Sequence, residues 1–598
     1  MNGIEQPVAG RVSRTTCVVL ALVFVIGLLQ LGMRLKEMQV DGAADFSYAS
    51  SRQSVRRVQI GGLRGRILDR KGRPLAENRT SVSIVCRPSF FQKRTWDGTV
   101  GEIESAIGRV AAVLGKPSPL TERVIRRHVN QSLAMPLFVW RDVTEGELAV
   151  FAEHELDFPG FSLVETEERV YPNGVLAAHV LGYVGRDTVV SAAGDERFNF
   201  ALPEMRGRAG VESFYDGFLR GVPGERKLLV DARGFTIREW DVVSPRRGPD
   251  LDLSLDADLQ REVERQLQGC RGACAVIDPQ SGEVLALASA PGFDPNGFVP
   301  VLTPACYARY AKDPAKPLLN RASGGSYAPG STFKPVVALA ALALGYPANE
   351  PYCCTGVFSL GPMNLRCANR WGHGEMDLRR ALMKSCNPYF CNLGADIGTN
   401  ALVRAARAFG LGVRTGLDLG VDASGVVPDA EWKERTYGEK WFAGDLVQMS
   451  IGQGMLLASP LQMARVAGAI GTGFLVVPHL NRDLPALREK LPFDETHLRI
   501  VREGLRMVVA GDGESRGSGW RSGVDVGVAV SGKTGTAEVG RGETRRKNTW
   551  FIAYAPSDAP TVAIALVVEN GESGGETAAP KVNAILRHLF PASGGPQS

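Results

Sequence analysis

The chain has few of the features that would assign it to a simple class. Aromatic residues make up only 7% of its 598 residues, and no internal repeat or low-complexity tract is visible. The formal net charge is only +5, and no block of basic residues stands out, so nothing indicates nucleic-acid binding. An apolar content of 44% and a charged content of 22% are those of ordinary globular protein. The length predicts more than one domain.

Long hydrophobic runs are also scarce, since only residues 15–33 form one. This run is near the short limit for a membrane-spanning helix. A cleaved signal peptide is the alternative, but no small-x-small cleavage site follows promptly. We therefore expect an uncleaved anchor at 15–33 behind a short tail at 1–14. Basic residues flank the run on both sides, so charge alone does not fix its orientation.

Cysteine is too sparse for a disulfide scaffold in a chain this long, with ten residues in all. Five of the ten lie between Cys353 and Cys391, however, and this clustering requires its own explanation.

The first half contains three blocks marked by Gly, Pro and charged residues, at 64–76, 169–174 and 207–221. Helical patterns lie between them, at 101–114 and 120–129, and residues 244–249 have the composition of a linker.

The second half is predicted to form an α+β domain. Apolar strand patterns occur at 273–277, 284–289, 531–539, 549–555 and 561–568. Short turn-rich links join neighbouring strands, which predicts an antiparallel sheet with a helical subdomain inserted between its two strand groups.

Three short motifs in this half carry chemistry. The first is Tyr327-Ala-Pro-Gly-Ser-Thr-Phe-Lys334, in which Ser331 and Lys334 would share one face of a starting helix. A serine hydroxyl needs a base to become a nucleophile, and a lysine whose pKa is lowered by burial or by a cation such as Lys533 can be that base. A Ser-x-x-Lys pair alone is expected by chance in a chain of this length.

The second motif is Ser385-Cys-Asn387, and the third is Lys533-Thr534-Gly535-Thr536. Ser385 can pass a proton, and the Asn387 amide can hold a substrate amide. Alternating side chains would turn both into a cleft and Cys386 away from it. The third motif is expected on a strand, where Gly535 permits close backbone approach. Each motif alone has an ordinary reading, as a helix cap or a loop lysine; three in this order favour an acyl-transfer site.

Together these motifs resemble the transpeptidase domain of penicillin-binding proteins. The three blocks of the first half resemble the pedestal, or dimerisation-type domain, of class B members. The resemblance implies an anchor followed by a pedestal at 34–245 and a transpeptidase domain at 250–598 with a five-stranded antiparallel sheet flanked by helices. No glycosyltransferase domain fits upstream, which excludes the class A architecture.

The family implies a D,D-transpeptidase that crosslinks peptidoglycan stem peptides through an acyl-enzyme on Ser331. Lys334, Ser385, Asn387 and Lys533 would be catalytic, while Thr534, Gly535 and Thr536 would bind substrate. β-Lactams would acylate the same serine, and a D,D-carboxypeptidase side reaction is compatible. No organic cofactor is expected. One departure is Glu538, where the family commonly has glutamine.

The pattern around 169–183 and 574–580 resembles the elongation type more than the septal type. The implied partner is a membrane glycosyltransferase of the shape and division group. The bulk of the chain would lie outside the membrane and the N-terminus in the cytoplasm.

The cysteine cluster predicts a structural zinc site formed by Cys354, Cys367, His373 and Cys386. Some elongation-type members carry a similar pattern. A Cys354–Cys367 disulfide and free thiols are the alternatives, and Cys353 and Cys391 are spare ligand candidates.

Three other classes of protein have to be distinguished from a transpeptidase. A serine β-lactamase would use the same serine and lysine, but a pedestal is not expected in one. A β-lactam sensor would need several spanning helices, and a non-catalytic scaffold would not need all three motifs.

Overall fold

The computed structural model describes residues 13–41, 43, 55–186, 200–201, 204–299, 302–540 and 545–592. Its first element is the helix Arg14–Lys36, which Ser13 caps at its N-terminus and which continues into a π-helical turn, Glu37–Asp41. Twenty-three residues span about 35 Å, enough for a hydrocarbon core of about 30 Å. Among the described residues this helix alone is long and apolar enough to cross a membrane. The tail predicted at 1–14 lies almost wholly outside the described residues.

Two β-sheets form most of the first half. Its strands are β1 (Val55–Ile60), β2 (Ile67–Leu68), β3 (Pro74–Cys86), β4 (Leu137–Trp140), β5 (Phe161–Val170), β6 (Val184–Arg186), β7 (Phe200–Ala201), β8 (Met205–Gly207), β9 (Gly224–Val230), β10 (Thr236–Val243) and β11 (Leu251–Asp252). One sheet has the order β10-β9-β1-β7. The other has the order β11-β2-β3-β4, with β5 also paired to β3.

Helices pack beside these sheets. They are Trp96–Leu114, Glu122–Gln131, Glu145–Glu153, Ala178–Leu181, Gly210–Phe214 and Asp216–Leu219. The first begins five residues before the predicted start, because the Thr95 side chain caps it by accepting from the Gly98 amide. It ends where Gly115 adopts the left-handed conformation, with φ of 62°.

A buried ionic network joins the three sequence blocks of the first half. Glu212 accepts from Arg64 Nε at 2.6 Å and from Arg169 Nε at 2.7 Å, and both arginine side chains are almost fully buried. Arg64 also donates to Asp216 at 2.7 Å, and Arg169 donates to the Gly65 carbonyl at 2.7 Å. Removing one partner of such a buried pair costs about 3–5 kcal/mol, so the three blocks depend on one another for folding.

The predicted linker at 244–249 is a packed segment. Arg246 bridges to Val222 and Arg247 to Leu63, and a Cβ on Gly248 would lie 2.2 Å from the Leu219 carbonyl oxygen. Composition indicated a linker, and backbone pairing holds this segment against the first domain.

The second half is built around a five-stranded sheet. The strands of the second half are β12 (Gly272–Ile277), β13 (Val284–Ala290), β14 (Tyr352–Cys354), β15 (Val357–Leu360), β16 (Met363–Arg366), β17 (Gly374–Met376), β18 (Phe474–Val476), β19 (Arg488–Lys490), β20 (Ser531–Val539), β21 (Arg546–Ala555) and β22 (Val562–Glu569). Three separate pairs of short strands accompany the main sheet, namely β14 with β17, β15 with β16, and β18 with β19. The main sheet has the order β13-β12-β22-β21-β20, and every pair in it is antiparallel. The predicted antiparallel sheet is confirmed.

Helices fill the long connection between β13 and β20 and flank the sheet. Those of the second half are Ala257–Leu267, Pro304–Ala311, Arg321–Gly324, Lys334–Ala343, Leu378–Lys384, Asn387–Ala408, Ala430–Tyr437, Ala443–Ser450, Pro460–Thr472, Glu495–Ala510 and Ala579–Leu589.

The two faces of the sheet bury separate cores. Ile277 belongs to the core that includes helix Pro460–Thr472, whereas its neighbour Val276 belongs to the core that includes Ala257–Leu267 and Ala579–Leu589. This alternation follows from the two-residue period of a strand. Each fully buried Val, Leu, Ile or Phe contributes about 1.5–3 kcal/mol. Within the described part of the chain, β20 lies at the edge of this sheet.

Candidate active site

Ser331 lies in a short 3-10 turn that begins at Gly330 and runs directly into helix Lys334–Ala343. The predicted helix start is present, with a tighter first turn. Gly330 has φ of 56° and donates its amide to the Gly452 carbonyl at 2.8 Å. A Cβ on Gly330 would lie 2.9 Å from the Thr536 carbonyl oxygen. The turn that carries Ser331 therefore packs tightly against strand β20.

Lys334 is completely buried. Its Nζ donates to the Ser385 carbonyl at 2.8 Å and to Asn387 Oδ1 at 2.7 Å, and it lies 3.5 Å from Ser385 Oγ. Burial lowers the pKa of Lys334 to about 8, because the ammonium form loses its hydration. The neutral amine is thus much more populated near neutral pH than in an exposed lysine, and a neutral amine can act as a base.

Ser385 and Asn387 reach Lys334 by a different backbone path from the predicted alternation. Ser385 adopts the left-handed conformation, with φ of 57°, at the end of helix Leu378–Lys384, and Asn387 is the first residue of helix Asn387–Ala408. A left-handed non-glycine residue costs about 1–2 kcal/mol. The Asn387 side chain is fixed at both ends, because its Nδ2 donates to the Arg366 carbonyl at 3.0 Å.

Lys533 lies on β20 as expected and is also completely buried. Its Nζ donates to Ser385 Oγ at 2.8 Å and to the Thr534 carbonyl at 3.0 Å. Burial, and secondarily repulsion from Lys334, holds the pKa of Lys533 well below its ordinary value. For Lys334 burial is the main cause, and because repulsion between two ammonium groups is mutual, the predicted influence of Lys533 belongs to the same interaction.

Strand β20 is the edge of its sheet in the described chain, paired with β21 on one side. An extended ligand can hydrogen-bond to the free side of such a strand. Gly535 has no room for a side chain, since a Cβ would lie 2.8 Å from Thr332 Cγ2 and 2.9 Å from the Pro329 carbonyl oxygen. The predicted close approach at Gly535 is made by the turn that carries Ser331.

Three residues around the third motif were not singled out from the sequence as site residues. Ser518 Oγ lies 3.0 Å from Thr534 Oγ1, the Gly574 amide donates to Thr536 Oγ1 at 3.2 Å, and Gln453 Nε2 donates to the Thr536 carbonyl at 3.2 Å. Gly574 begins the pattern at 574–580, and Gln453 lies between two glycines, but Ser518 has no sequence signal of its own.

Glu538, two residues beyond the third motif, is exposed and forms an ion pair with Arg545. Its carboxylate therefore has a cationic partner on the same hairpin.

All four predicted metal ligands come together. The ligand atoms of Cys354, Cys367, His373 and Cys386 lie within 4.8 Å of one another. Cys367 Sγ is 3.4 Å from His373 Nδ1 and 4.0 Å from Cys386 Sγ. Bonds of about 2.1–2.3 Å to a tetrahedral zinc place ligand atoms roughly 3.5–3.8 Å apart. The Cys367–His373 distance is close to this range, and the Cys367–Cys386 distance is slightly longer.

The electrostatics of the cluster favour a thiolate. The pKa of Cys367 is lowered, first by the hydrogen bond from the Cys386 thiol and then by the His373 ring, whereas the pKa of Cys386 is raised. All ten cysteines are unpaired in the structure. Of the two spare candidates, Cys353 is exposed, and Cys391 is buried outside this group of four.

Comparisons with known proteins agree with this geometry. The family described as "Penicillin binding protein transpeptidase domain" matches residues 272–587, and the one described as "Penicillin-binding Protein dimerisation domain" matches residues 59–253. The chain belongs to the penicillin-binding proteins. Both matches on one chain confirm the class B architecture and the assignment as a serine-type transpeptidase.

The similar proteins define the type within this family. The chain is 31% identical over 611 residues to the peptidoglycan D,D-transpeptidase MrdA of Escherichia coli, with 95% of this chain and 93% of the relative covered. It resembles the structure of PBP2 in complex with MreC from Helicobacter pylori, with a TM-score of 0.77, 27% identity and coverage of 90% and 98%. A structure of a peptidoglycan synthase complex that coordinates polymerization and crosslinking matches with a TM-score of 0.72, 30% identity and coverage of 97% and 99%. These matches confirm the expected elongation type.

Proposed function

We propose that this penicillin-binding protein crosslinks peptidoglycan stem peptides during cell elongation, with Ser331 as its nucleophile. The observation that carries the assignment is the convergence of two buried lysines on Ser385, next to the turn that bears Ser331. Lys334 and Lys533 each donate to Ser385, and both amines have lowered pKa values. Two buried ammonium groups this close are not stable together, so a neutral amine is available in the site.

In the acylation step, Ser331 Oγ attacks the carbonyl carbon of the penultimate D-Ala, and its proton passes to the neutral Lys334 amine. The amide N–H groups of Ser331 and Thr536 stabilise the negative charge that develops on the carbonyl oxygen. Breakage of the C–N bond expels the terminal D-Ala. Its amine takes the proton from Lys334 through Ser385 Oγ, which lies between the two lysines.

In the second step, an amine of a neighbouring stem peptide attacks the ester carbonyl. Its proton passes back through the same groups to Ser331 Oγ, and a crosslink replaces the ester. The side-chain amide of Asn387 orients the amide of the donor peptide. Lys334 holds the Oδ1 atom of Asn387 in place, and the Arg366 carbonyl holds its Nδ2 atom.

The edge of β20 binds the donor peptide. Lys533, Thr534 and Thr536 supply N–H and O–H donors for its terminal carboxylate, and Gly535 allows the nucleophile turn to come close. β-Lactams resemble the D-Ala-D-Ala end and acylate Ser331 by the same route.

The proposed topology is a single-pass membrane protein with a cytoplasmic tail at 1–14 and an anchor at 15–33. The pedestal at 34–245 and the transpeptidase domain at 250–598 lie outside the membrane. The anchor and pedestal bind a membrane glycosyltransferase of the shape and division group. The Helicobacter pylori PBP2 was solved in complex with MreC, which supports a further protein partner for this chain.

We further propose that Cys354, Cys367, His373 and Cys386 hold a structural zinc ion. Three thiolates and one imidazole leave no open coordination position, so the ion would stabilise the fold. Cys386 lies between Ser385 and Asn387 in the chain, and Cys367 follows Arg366, whose carbonyl orients Asn387. The cluster therefore fixes both sides of the loop that contacts Lys334.

Labelling with a fluorescent penicillin tests the nucleophile. Ser331→Ala should abolish the label, whereas Ser326→Ala, which changes an exposed serine five residues earlier, should retain it. Label that survives Ser331→Ala refutes the assignment, and rapid loss of label from the unaltered protein indicates a β-lactamase.

Depletion of the protein in its host tests the role in elongation. The cells should become round, whereas filamentous cells would indicate a septal role.

Metal analysis with a thiol count tests the zinc proposal. The unaltered protein should contain about one zinc per chain, and Cys367→Ser should lose it and acylate more slowly. Cys353→Ser is the matched control, because it removes an exposed cysteine outside the cluster. A metal-free protein that lacks two titratable thiols would instead establish the disulfide.

A further inference from the structure

Two neighbouring residues, Gly452 and Gln453, contact both sides of the active site. They form a tight turn after helix Ala443–Ser450, in which Gly452 has φ of 72°. The Gly452 carbonyl accepts from the Gly330 amide at 2.8 Å, and the Gln453 side chain donates through Nε2 to the Thr536 carbonyl at 3.2 Å. One turn therefore joins the residue before the proposed nucleophile to strand β20.

The backbone of Thr536 faces the free edge of β20. Its carbonyl accepts from Gln453, which does not belong to the sheet. In an antiparallel pair the amide and the carbonyl of one residue point to the same side, so the Thr536 N–H points to this edge as well. The nucleophile turn lies here too, because a Cβ on Gly330 would lie 2.9 Å from the Thr536 carbonyl oxygen.

The side chain of Gln453 is committed to this contact. Among the described residues, the Thr536 carbonyl is the one hydrogen-bond partner of that side chain. Gln453 is half-buried, and its own backbone amide donates to the Gln448 carbonyl at 2.9 Å. The side chain therefore extends from a fixed backbone to strand β20.

We propose that Gln453 is a positioning residue that sets the distance between the two N–H donors of the oxyanion hole. This inference rests on the proposed function, in which Ser331 and Thr536 supply those donors. Gly452 holds the turn of the first donor, and Gln453 holds the strand of the second. Such donors act only when they are already aimed at the developing charge, and a displacement of about 1 Å can cost about 100-fold in rate.

Stopped-flow acylation of the purified full-length protein by a range of fluorescent penicillin concentrations tests the proposal. It separates the dissociation constant of the non-covalent complex from the acylation rate constant. Gln453→Met removes the donor without adding charge and should lower the rate constant about five- to tenfold, as loss of one hydrogen bond does. Gln453→Glu keeps the size but directs a carboxylate at the Thr536 carbonyl, so it should lower the rate constant further. The dissociation constant should change less than about threefold, because the negative charge develops only in the transition state.

The matched control is Gln280→Met. Gln280 also donates through Nε2 to a backbone carbonyl, that of Pro560 at 3.3 Å, but it lies in the turn between β12 and β13. This variant should acylate like the unaltered protein. The midpoint of the pH profile should stay near pH 8 in every variant, because Gln453 bonds to neither active-site lysine.

An unchanged acylation rate constant in Gln453→Met would overturn the proposal. So would a Gln453→Glu variant that acylates as fast as the unaltered protein, since the side chain would then only fill space. Tighter binding with an unchanged rate constant would show instead that Gln453 covers the strand edge, and a shifted midpoint would show that the substitution disturbs the lysines.

Two further results keep the test decisive. Circular dichroism verifies the fold of each variant, and Gln453→Leu replaces Gln453→Met if that variant does not fold. If the unaltered protein is not acylated at Ser331, the proposed function itself fails, whatever the Gln453 variants do.

Discussion

The rate of acylation by penicillin should rise with pH through the titration of Lys334. Burial lowers the pKa of this lysine from 10.5 to about 8, so its surroundings disfavour the charged form by about 3 kcal/mol. At pH 7 the neutral fraction is then about 9%, compared with about 0.03% for a lysine with the ordinary value. Because the neutral amine accepts the proton of Ser331, the active fraction increases as pH rises.

The magnitude of the effect follows from this titration. The second-order rate constant for acylation should increase about ninefold from pH 6 to 7, about fivefold from pH 7 to 8 and less than twofold from pH 8 to 9. Stopped-flow or gel-based measurement with a fluorescent penicillin gives the profile. Circular dichroism at each pH verifies that the fold is unchanged.

Lys334→Arg is the informative variant, since a guanidinium remains protonated throughout this range. It should acylate slowly at every pH and show no rise near pH 8. A rate constant that stays flat from pH 6 to 9 in the unaltered protein would refute the role of Lys334 as base. If the rate constant of Lys334→Arg rises with pH at the same midpoint, the titration belongs to another group.

Two further substitutions test the fold around the sites. Glu212→Gln should lower the free energy of unfolding by about 3 kcal/mol, because it removes the carboxylate that pairs with buried Arg169 and one of the two that pair with buried Arg64. Asp97→Asn, at an exposed ion pair, should cost under about 1 kcal/mol by the same denaturant titration. Gly452→Ala would place a Cβ 1.9 Å from a backbone oxygen of the turn before Ser331 and should slow acylation more than tenfold. Gly454→Ala has the same φ of 72° but a nearest contact of 3.4 Å, so equal loss in both variants would contradict the role of the clash.

Much of the second domain could be predicted because its signals are local. The strand 531–539 was predicted with the bounds that the structure has, since a run of small and β-branched residues between turns suffices to define it. Strand β21 begins three residues earlier than predicted, because pairing with Glu538 and Val539 extends it through polar residues. Pairing across a sheet is not visible in a single segment.

The linker at 244–249 shows the same limit. Its Pro and Gly residues are typical of a linker, and they give no sign of the bridges to Leu63 and Val222 that hold it in place. These partners are far away in sequence, and only the folded chain brings them together.

The sequence by itself determined the chemistry of this protein, because the reaction depends on residue types at short spacings. Each motif can be recognised within a single turn or strand: Ser331 with Lys334, Ser385 with Asn387, and Lys533 through Thr536. The tertiary structure decided how these groups work, since burial and charge depend on residues hundreds of positions apart. It placed Lys533 and Lys334 on the same serine and lowered their pKa values by removing water. Desolvation is a property of the packed molecule, and no short segment of the sequence contains it.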